Sequence, residues 1–411
     1  MHMLNKLFQT LWRENSLADL LLRNNYRYLL FSSFYFSEGL YYAILMIITP
    51  LYLVDKGVSL PLVTLIIGIG NLPWIFKFFW GGVVDHFRNK GRRIFTIYGS
   101  LITAISLFLI AISDYNFYII TYSILVIIGY IGICFLDVSA DAWAIDITQK
   151  EERGKINGAM NIGRSLGVSI GAIGLTIVSD TFDFMTSYLL AGFIILLFLI
   201  FPHMTDKDRA LIKKEKLIHI LKIEFRKPLN LLSSTYFFII ALNPGLIGAI
   251  IVIYANNVLN LSSTEIGLLS SAIILFIIPG SLIGGIITDK YGRKKTLYLF
   301  IVLNIVFSIF LVFTFNWILL FIIYGLFSFI SGGLAVTNSA LMMDMTNKKI
   351  GGTQFSIYSS IYNAGFIMTA AVGGTLVEAF DYSIVFILSG LLMIPAVLVL
   401  YQVKRKELEK S

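Results

Sequence analysis

Gly284-Gly285-Ile286-Ile287-Thr288-Asp289-Lys290-Tyr291-Gly292-Arg293-Lys294-Lys295 joins two long apolar runs, and its reading decides the fold. Its glycines let a neighbouring helix approach closely, an acid follows, and a basic cluster then holds the turn at a membrane surface. The acid is placed to face the positive N-terminal end of an adjacent helix. The chain carries the pattern twice. Gly81-Gly82-Val83-Val84-Asp85 ends an earlier apolar run and Gly91-Arg92-Arg93 completes its turn, with a longer gap between acid and glycine. Two crossings beyond each copy the run closes on a second matching signature, Asp146-Ile147-Thr148 in one half and Asp344-Met345-Thr346 in the other. Repeats at equivalent places imply two related halves.

Outward from these loops, the apolar runs span Leu29–Leu53, Leu62–Val84, Ile94–Ala111, Phe117–Ala140, Ile156–Val178 and Phe184–Phe201 in the first half. In the second they span Leu229–Tyr254, Ile266–Thr288, Thr296–Phe315, Trp317–Met343, Gln354–Val377 and Tyr382–Tyr401. Each is long enough to cross about 30 Å of hydrocarbon as a helix at about 1.5 Å per residue. Barrel strands would need alternating segments of about ten residues. Of the 32 Lys and Arg residues, Lys77 and Arg164 lie inside apolar runs and Lys56 in an odd-numbered gap. All the others fall in alternate gaps, together with both termini. This positive-inside bias puts both termini and the long middle loop in the cytoplasm. The expectation is an all-α polytopic membrane protein of twelve transmembrane helices in two pseudo-symmetric six-helix bundles. Its divisions are a cytoplasmic N-terminal segment (1–27), a first bundle (28–202), a cytoplasmic linker (203–228), a second bundle (229–402) and a tail (403–411). Leu4, Leu7, Phe8 and Leu11 recur at helical spacing in the first segment, which suits a short helix on the inner leaflet. Arg13, Glu14, Asp19, Arg23 and Arg27 interrupt any secretory signal there.

With 57% hydrophobic residues in 411 and a mean hydropathy of +0.83, the composition lies outside the soluble globular range. The formal charge of +8 marks a face apposed to anionic lipid rather than a nucleic-acid binder. Cys134 is the single cysteine, so no intramolecular disulfide, Cys-based zinc site or cysteine-ligated cluster is possible. His2, His86, His203 and His219 all fall in cytoplasmic segments, away from any intramembrane metal site or proton relay. There is no phosphate-binding P-loop and no Ser-His-Asp or paired-carboxylate arrangement. We expect neither enzyme activity nor cofactor.

Function must then lie with the polar groups left in the bilayer. Lys77, Asp137 and Arg164 sit at a common depth, roughly 12–14 Å from the cytoplasmic ends of their helices. An ionisable group there costs several kcal/mol unless paired or hydrated. With Asp141, one helical turn from Asp137, they are expected to form one cluster, facing substrate or purely structural. Glu38 lies midway along the first span with no basic partner in its own helix. A carboxyl group in low dielectric exchanges a proton near neutral pH, as a proton symporter requires. Glu38, Asp137 and Asp141 are the proton-coupling candidates, against the alternative that Glu38 pairs with Lys77 or Arg164. Tyr35, Tyr41, Tyr42, Asn71, Trp74, Asn161, Asn243, Asn338 and Asn363 supply aromatic faces and amides to a cavity, or hold helices together. Asn243-Pro244-Gly245 is expected to interrupt the seventh span so that it lines the cavity.

The glycine–acid–basic loop resembles the signature loop of the major facilitator superfamily, which the second copy matches in full. That resemblance implies substrate binding near the midplane between halves that rock. It also implies a conformational latch at Gly81, Asp85, Arg92, Arg93 and Asp146, repeated at Gly285, Asp289, Gly292, Arg293, Lys294 and Asp344. A narrower resemblance covers most of the first half. Leu72-Pro73-Trp74-Ile75-Phe76-Lys77-Phe78-Phe79-Trp80 and Asp137-Val138-Ser139-Ala140-Asp141-Ala142-Trp143-Ala144-Ile145-Asp146, then Glu151-Glu152-Arg153-Gly154 and Arg164-Ser165-Leu166-Gly167, are similar to the bacterial muropeptide permeases and the related acetyl-coenzyme A transporters. Thr353-Gln354-Phe355 is similar as well. The resemblance implies a secondary transporter of the plasma membrane, a cell inner membrane, importing a glycopeptide- or acyl-coenzyme-A-like solute with protons, and a monomer is expected because one chain carries both halves of the pathway. Two alternatives stay open: a proton-driven exporter of drugs or metabolites on the same fold, and a non-transporting membrane receptor.

Overall fold

The structure, a computed structural model, describes residues 25–87, 91–113, 119–147, 153–203, 224–346 and 351–408. The inner-leaflet helix expected at Leu4–Leu11 lies outside them, as do the side chain of Asp85 and most of the middle linker. Among the described residues, eleven helices are long and apolar enough to cross a membrane. In chain order they are α1 (Tyr26–Asp55), α2 (Leu60–Val84), α3 (Arg93–Ile112), α4 (Ile119–Ile147), α5 (Arg153–Thr181), α6 (Phe184–Pro202), α7 (Pro228–Asn257), α8 (Ser263–Tyr291), α9 (Arg293–Phe313) and α10 (Trp317–Asp344), followed by Gln354–Gln402. That last stretch, at 49 residues, would be more than twice as long as the hydrocarbon is thick. Asp381 breaks it, with φ 71° and ψ 166°, and its Oδ1 accepts the Ser383 amide at 2.6 Å to start the next helix. The two pieces, α11 (351–380) and α12 (382–408), complete the twelve crossings expected. Helices run past the apolar limits read from sequence, α8 to Tyr291 and α4 to Ile147, because their polar ends continue through the headgroup layer. Large apolar side chains such as Ile112, Ile120, Leu275, Leu282 and Leu398 face outward, as they do in a protein whose solvent is lipid. It is an integral membrane protein.

Glycines set the closest helix contacts, and they set them twice. In the first half α1 lies on α5 backbone to backbone: a Cβ at Gly39 would collide with the carbonyl of Arg164, at Gly163 with that of Ser32, and at Gly167 with that of Phe36. In the second half α7 lies on α11 the same way, Gly245 against the Phe366 carbonyl and Gly365 against that of Phe238. This is the small-residue packing by which helices associate where no hydrophobic force separates lipid from protein. We expect Gly167→Val to destabilise the fold by about 1–3 kcal/mol. Gly174→Val, where nothing lies within 4 Å of the added Cβ, should leave the melting temperature unchanged. Equal melting temperatures for both variants would contradict this packing.

The halves meet on the side opposite the basic loops. There α2 meets α11, where the Gly374 amide donates to Thr64 Oγ1 at 2.8 Å. On the symmetric flank α5 meets α8: the Thr264 amide donates to Asp180 Oδ2 at 2.7 Å, and Ser271 Oγ to the Ser169 carbonyl at 2.8 Å. Toward the basic loops α2, α5 and α11 line the cavity described next.

Candidate functional site

The α2 helix supplies the first wall because it breaks. Its regular run ends at Gly70, Leu72–Trp74 forms a tight 3-10 turn, and α-helix resumes at Lys77. Pro73 has no amide hydrogen to continue the ladder. Side-chain donors reinforce the break, Asn71 Nδ2 to the Ile67 carbonyl at 2.9 Å and Trp80 Nε1 to the Pro73 carbonyl at 3.0 Å. The break turns Trp74 and Lys77 inward. Trp74 Nε1 donates to the Tyr130 hydroxyl of α4, and the Lys77 ammonium sits 4.9 Å from the Trp74 ring centroid.

Lys77 Nζ then lies 2.5 Å from Asp137 Oδ2 and 3.6 Å from Asp141 Oδ2. The Tyr35 hydroxyl of α1 donates to Asp141 Oδ1 at 2.5 Å. Asp137 is buried, at 1% exposure, so its charge is balanced by Lys77 rather than by water. The second ion pair is Arg164 Nε to Glu38 Oε1 at 3.3 Å. It follows from the glycine contacts, since Glu38 neighbours Gly39 and Arg164 neighbours Gly163. Its two members differ sharply: the Glu38 side chain is 2% exposed and the Arg164 side chain 44%. The second carboxylate oxygen of Glu38, Oε2, is buried with no hydrogen-bond partner. Arg164 therefore offers its outer guanidinium nitrogens to open space, while Lys77 is enclosed by two carboxylates and an indole.

These groups line a cavity of about 710 Å³ with Tyr42, Asn71, Tyr130, Asn157, Met160 and Asn161 from the first half and Met343, Phe355, Ser359, Tyr362, Asn363, Phe366 and Ile367 from the second. Its acids and bases all come from the first half; the facing wall offers hydroxyl, amide and aromatic groups. Of the residues expected to line a cavity, Tyr35, Tyr42, Asn71, Trp74, Asn161 and Asn363 do so, and three do not. Tyr41 turns away to donate to the Val126 carbonyl at 2.6 Å and to stack on Tyr130. Asn338 accepts from the Tyr236 hydroxyl at 2.7 Å within the second half. Asn243 is fully buried and donates to Ser308 and Ser389 at 2.8 and 3.3 Å, so it ties α7 to α9 and α12. The seventh helix does break, at Ala241 between Pro228–Ile240 and Leu242–Asn257, but the break faces its own bundle.

The single four-membered cluster expected of Lys77, Asp137, Asp141 and Arg164 is divided instead: Lys77 holds both Asp137 and Asp141, and Arg164 is given to Glu38. Sequence reasoning also passed over Tyr130, Tyr362 and Ser359. The signal that could have found the Glu38–Arg164 pair is the spacing of Gly163 and Gly167, which marks the α5 face that meets α1.

The repeated loops hold a matching pair of tethers. Arg92 Nε lies 3.2 Å from Asp146 Oδ2, and Arg293 Nε lies 3.0 Å from Asp344 Oδ2 and within reach of Asp289, its Nη1 lying 3.4 Å from Oδ1. Arg92 is 4% exposed, so it ties α3 to α4 rather than reaching lipid as expected of the loop's bases. Gly292, at φ 84°, makes the turn between α8 and α9 in a conformation that favours glycine. Gly81 and Gly285 lie beside Val138 and Val336, the same helix contact in each half. Arg93 and Lys294 flank the tethers at the starts of α3 and α9.

A family model described as Major Facilitator Superfamily matches residues 30–243 and 231–411. The anhydromuropeptide permease of Escherichia coli (strain K12) is 24% identical over 361 residues, 82% of this chain and 71% of that protein. The putative transporter AmpG 1 of Rickettsia bellii (strain RML369-C) is 24% identical over 387 residues, 86% of this chain and 92% of that one. The hexuronate transporter of Bacillus subtilis (strain 168) is 31% identical over 156 residues, 37% of this chain and 36% of its own length. Among solved structures, a bacterial homologue of the human lysosomal transporter Spinster, inward-facing and unoccupied, superposes with a TM-score of 0.75 at 12% identity, covering 94% of this chain and 98% of that one. A D-xylose–proton symporter superposes with a TM-score of 0.75 at 14% identity, covering 91% and 96%.

Proposed function

The chain belongs to the major facilitator superfamily, and from that premise we propose that this transporter carries a carboxylate-bearing sugar derivative across the plasma membrane together with a proton. Residues 28–202 rock against 229–402 about the linker, with both termini in the cytoplasm. One observation carries the reading. The cavity between the halves holds three carboxyl groups against two basic side chains, one of which, Arg164, is 44% exposed and turns donors to the space.

A planar guanidinium takes a carboxylate or phosphate by paired hydrogen bonds. A solute anion arriving at Arg164 competes with Glu38 for it. Glu38 is buried, so it cannot remain charged without its partner and takes a proton from the aqueous cavity. Solute anion and proton then cross together without net charge, and release of the solute returns Arg164 to Glu38 and expels the proton. The asparagines and the Trp74, Tyr42 and Tyr362 rings suit hydroxyl, amide and ring faces of a sugar. Hexuronates and anhydromuropeptides, the solutes in two relatives' names, are both sugar derivatives with carboxyl groups, which supports the same class.

The test is a thermal-shift screen of the purified protein with glucuronate, an anhydromuropeptide, alanyl-alanine, glucose and acetyl-coenzyme A. Carboxylated sugars should stabilise the wild type, by about 2.7 kcal/mol at one hundred times Kd, and Arg164→Ala should lose that shift. Stabilisation by glucose alone would overturn the substrate class. A ligand that stabilises the protein but never exchanges across liposomes would make it a receptor.

A further inference from the structure

One helical turn beyond the charged cavity, toward the closed face, lies a second void of about 160 Å³. Tyr42 lines both. From Tyr42 to Met46 on α1, and from Arg164 to Val168 on α5, is a single turn, or about 5–6 Å. The walls are aliphatic: Met46 and Ile47 of α1, Val168 of α5, Ile251 and Val252 of α7, and a row on α8 that includes Ile273 and Ile277. The polar groups among them are Ser270 and the hydroxyls of Tyr42 and Tyr324. A pocket so lined favours an apolar guest; about 150 Å³ accommodates a six-carbon ring.

Residue 248, on the wall of this void, is a glycine that packing does not demand. A Cβ at Gly245 would collide with the Phe366 carbonyl, whereas one at Gly248 would rest 3.5 Å from Met46 Cε and 3.8 Å from the Phe366 ring, both ordinary contacts. Phe366 itself lines the charged cavity. The missing side chain therefore leaves room where the two spaces adjoin.

We infer that this void is a specificity subsite for an alkyl or aryl substituent of the transported solute, so that the ligand is an amphiphile whose anion sits at Arg164 and whose apolar group points to the closed face. The inference rests on the anion-anchored reading given above and deepens it. The solute is bound head toward the basic loops and tail toward the opposite side, and purely polar sugars leave part of the site empty.

Alkyl β-D-glucuronides from methyl to octyl, titrated calorimetrically into the purified protein, test it. Affinity should rise about fourfold per methylene up to roughly six carbons, the void's capacity, and then level off. In Gly248→Leu the added side chain fills the space, and the ratio of hexyl to methyl affinity should collapse toward one. Wild-type affinity that is flat in chain length, with methyl glucuronide still binding in an Arg164-dependent way, would overturn the subsite and leave the carrier reading standing. A chain-length dependence equally steep in Gly248→Leu would place the tail elsewhere and also overturn it. Failure of every glucuronide to bind the wild type would bring down both readings. The wild-type series needs no variant to fold.

Discussion

Lys77→Met should abolish the recovery of monodisperse protein, and adding Asp137→Asn should restore most of it. The single change leaves Asp137, at 1% exposure, without the ammonium that lies 2.5 Å from it. Removing one member of a buried ion pair costs about 3–5 kcal/mol, because an uncompensated charge stays in low dielectric. That is a large fraction of the about 5–15 kcal/mol by which folded domains are stable. Replacing both members removes the charge as well as its partner, and double replacements of this kind are often close to neutral. Asp141 remains in the double variant, but its side chain is 40% exposed and keeps the Tyr35 hydroxyl at 2.5 Å, so water and one strong donor support it. The measurements are yield on size exclusion and melting temperature. A Lys77→Met protein indistinguishable from wild type in both would mean that water already solvates Asp137. A double variant as poor as the single would mean that Lys77 matters through its ammonium on the Trp74 ring rather than through its pairing with Asp137.

Those side chains were legible in the sequence as ionic groups at one depth, because apolar runs of fixed length make depth a matter of counting residues. Which group meets which was not legible. Lys77 and Arg164 are both cationic and equally deep, and only the rotation of α5 on α1 gives Glu38 to Arg164. That rotation comes from backbone contact at Gly39, Gly163 and Gly167, whose partners are carbonyl groups that no sequence spells out. The same limit explains Tyr41 and Tyr42. They are adjacent in sequence and so about 100° apart on the helix, and the apolar run that follows them through Leu53 carries no periodicity to say which one faces the cavity. Asn243 and Asn338 were expected in the cavity for their chemistry and are absent from it for their phase. The twelve crossings and the duplicated loops, by contrast, depend on length, charge and order, which the sequence states directly. The break at Asp381 falls where the apolar runs were separated on sequence alone, and Asp381-Tyr382-Ser383 is a helix-start signal.

Glu38→Gln should uncouple transport from the proton gradient while leaving exchange of solute intact. In wild-type proteoliposomes, a gradient of one pH unit drives at most about tenfold accumulation of a solute carried with one proton. The glutamine variant should reach an internal-to-external ratio of one under the same gradient. Glutamine nearly matches the carboxyl group in shape, so the α1–α5 contact at Gly39 persists, but it cannot gain or lose a proton. Arg164 then lacks its ionic partner at 3.3 Å. Its 44% exposure lets water solvate the guanidinium, so the variant should fold, and a solute anion meets a vacant donor pair rather than a competitor. Counterflow of labelled solute should therefore survive, with an apparent affinity no weaker than wild type and less dependent on pH. This combination separates coupling from structure, since a variant damaged in its fold would lose both exchange and accumulation. Concentrative uptake by Glu38→Gln would remove the carboxyl group from the coupling step and move attention to Asp141, the remaining acid whose side chain reaches the cavity water.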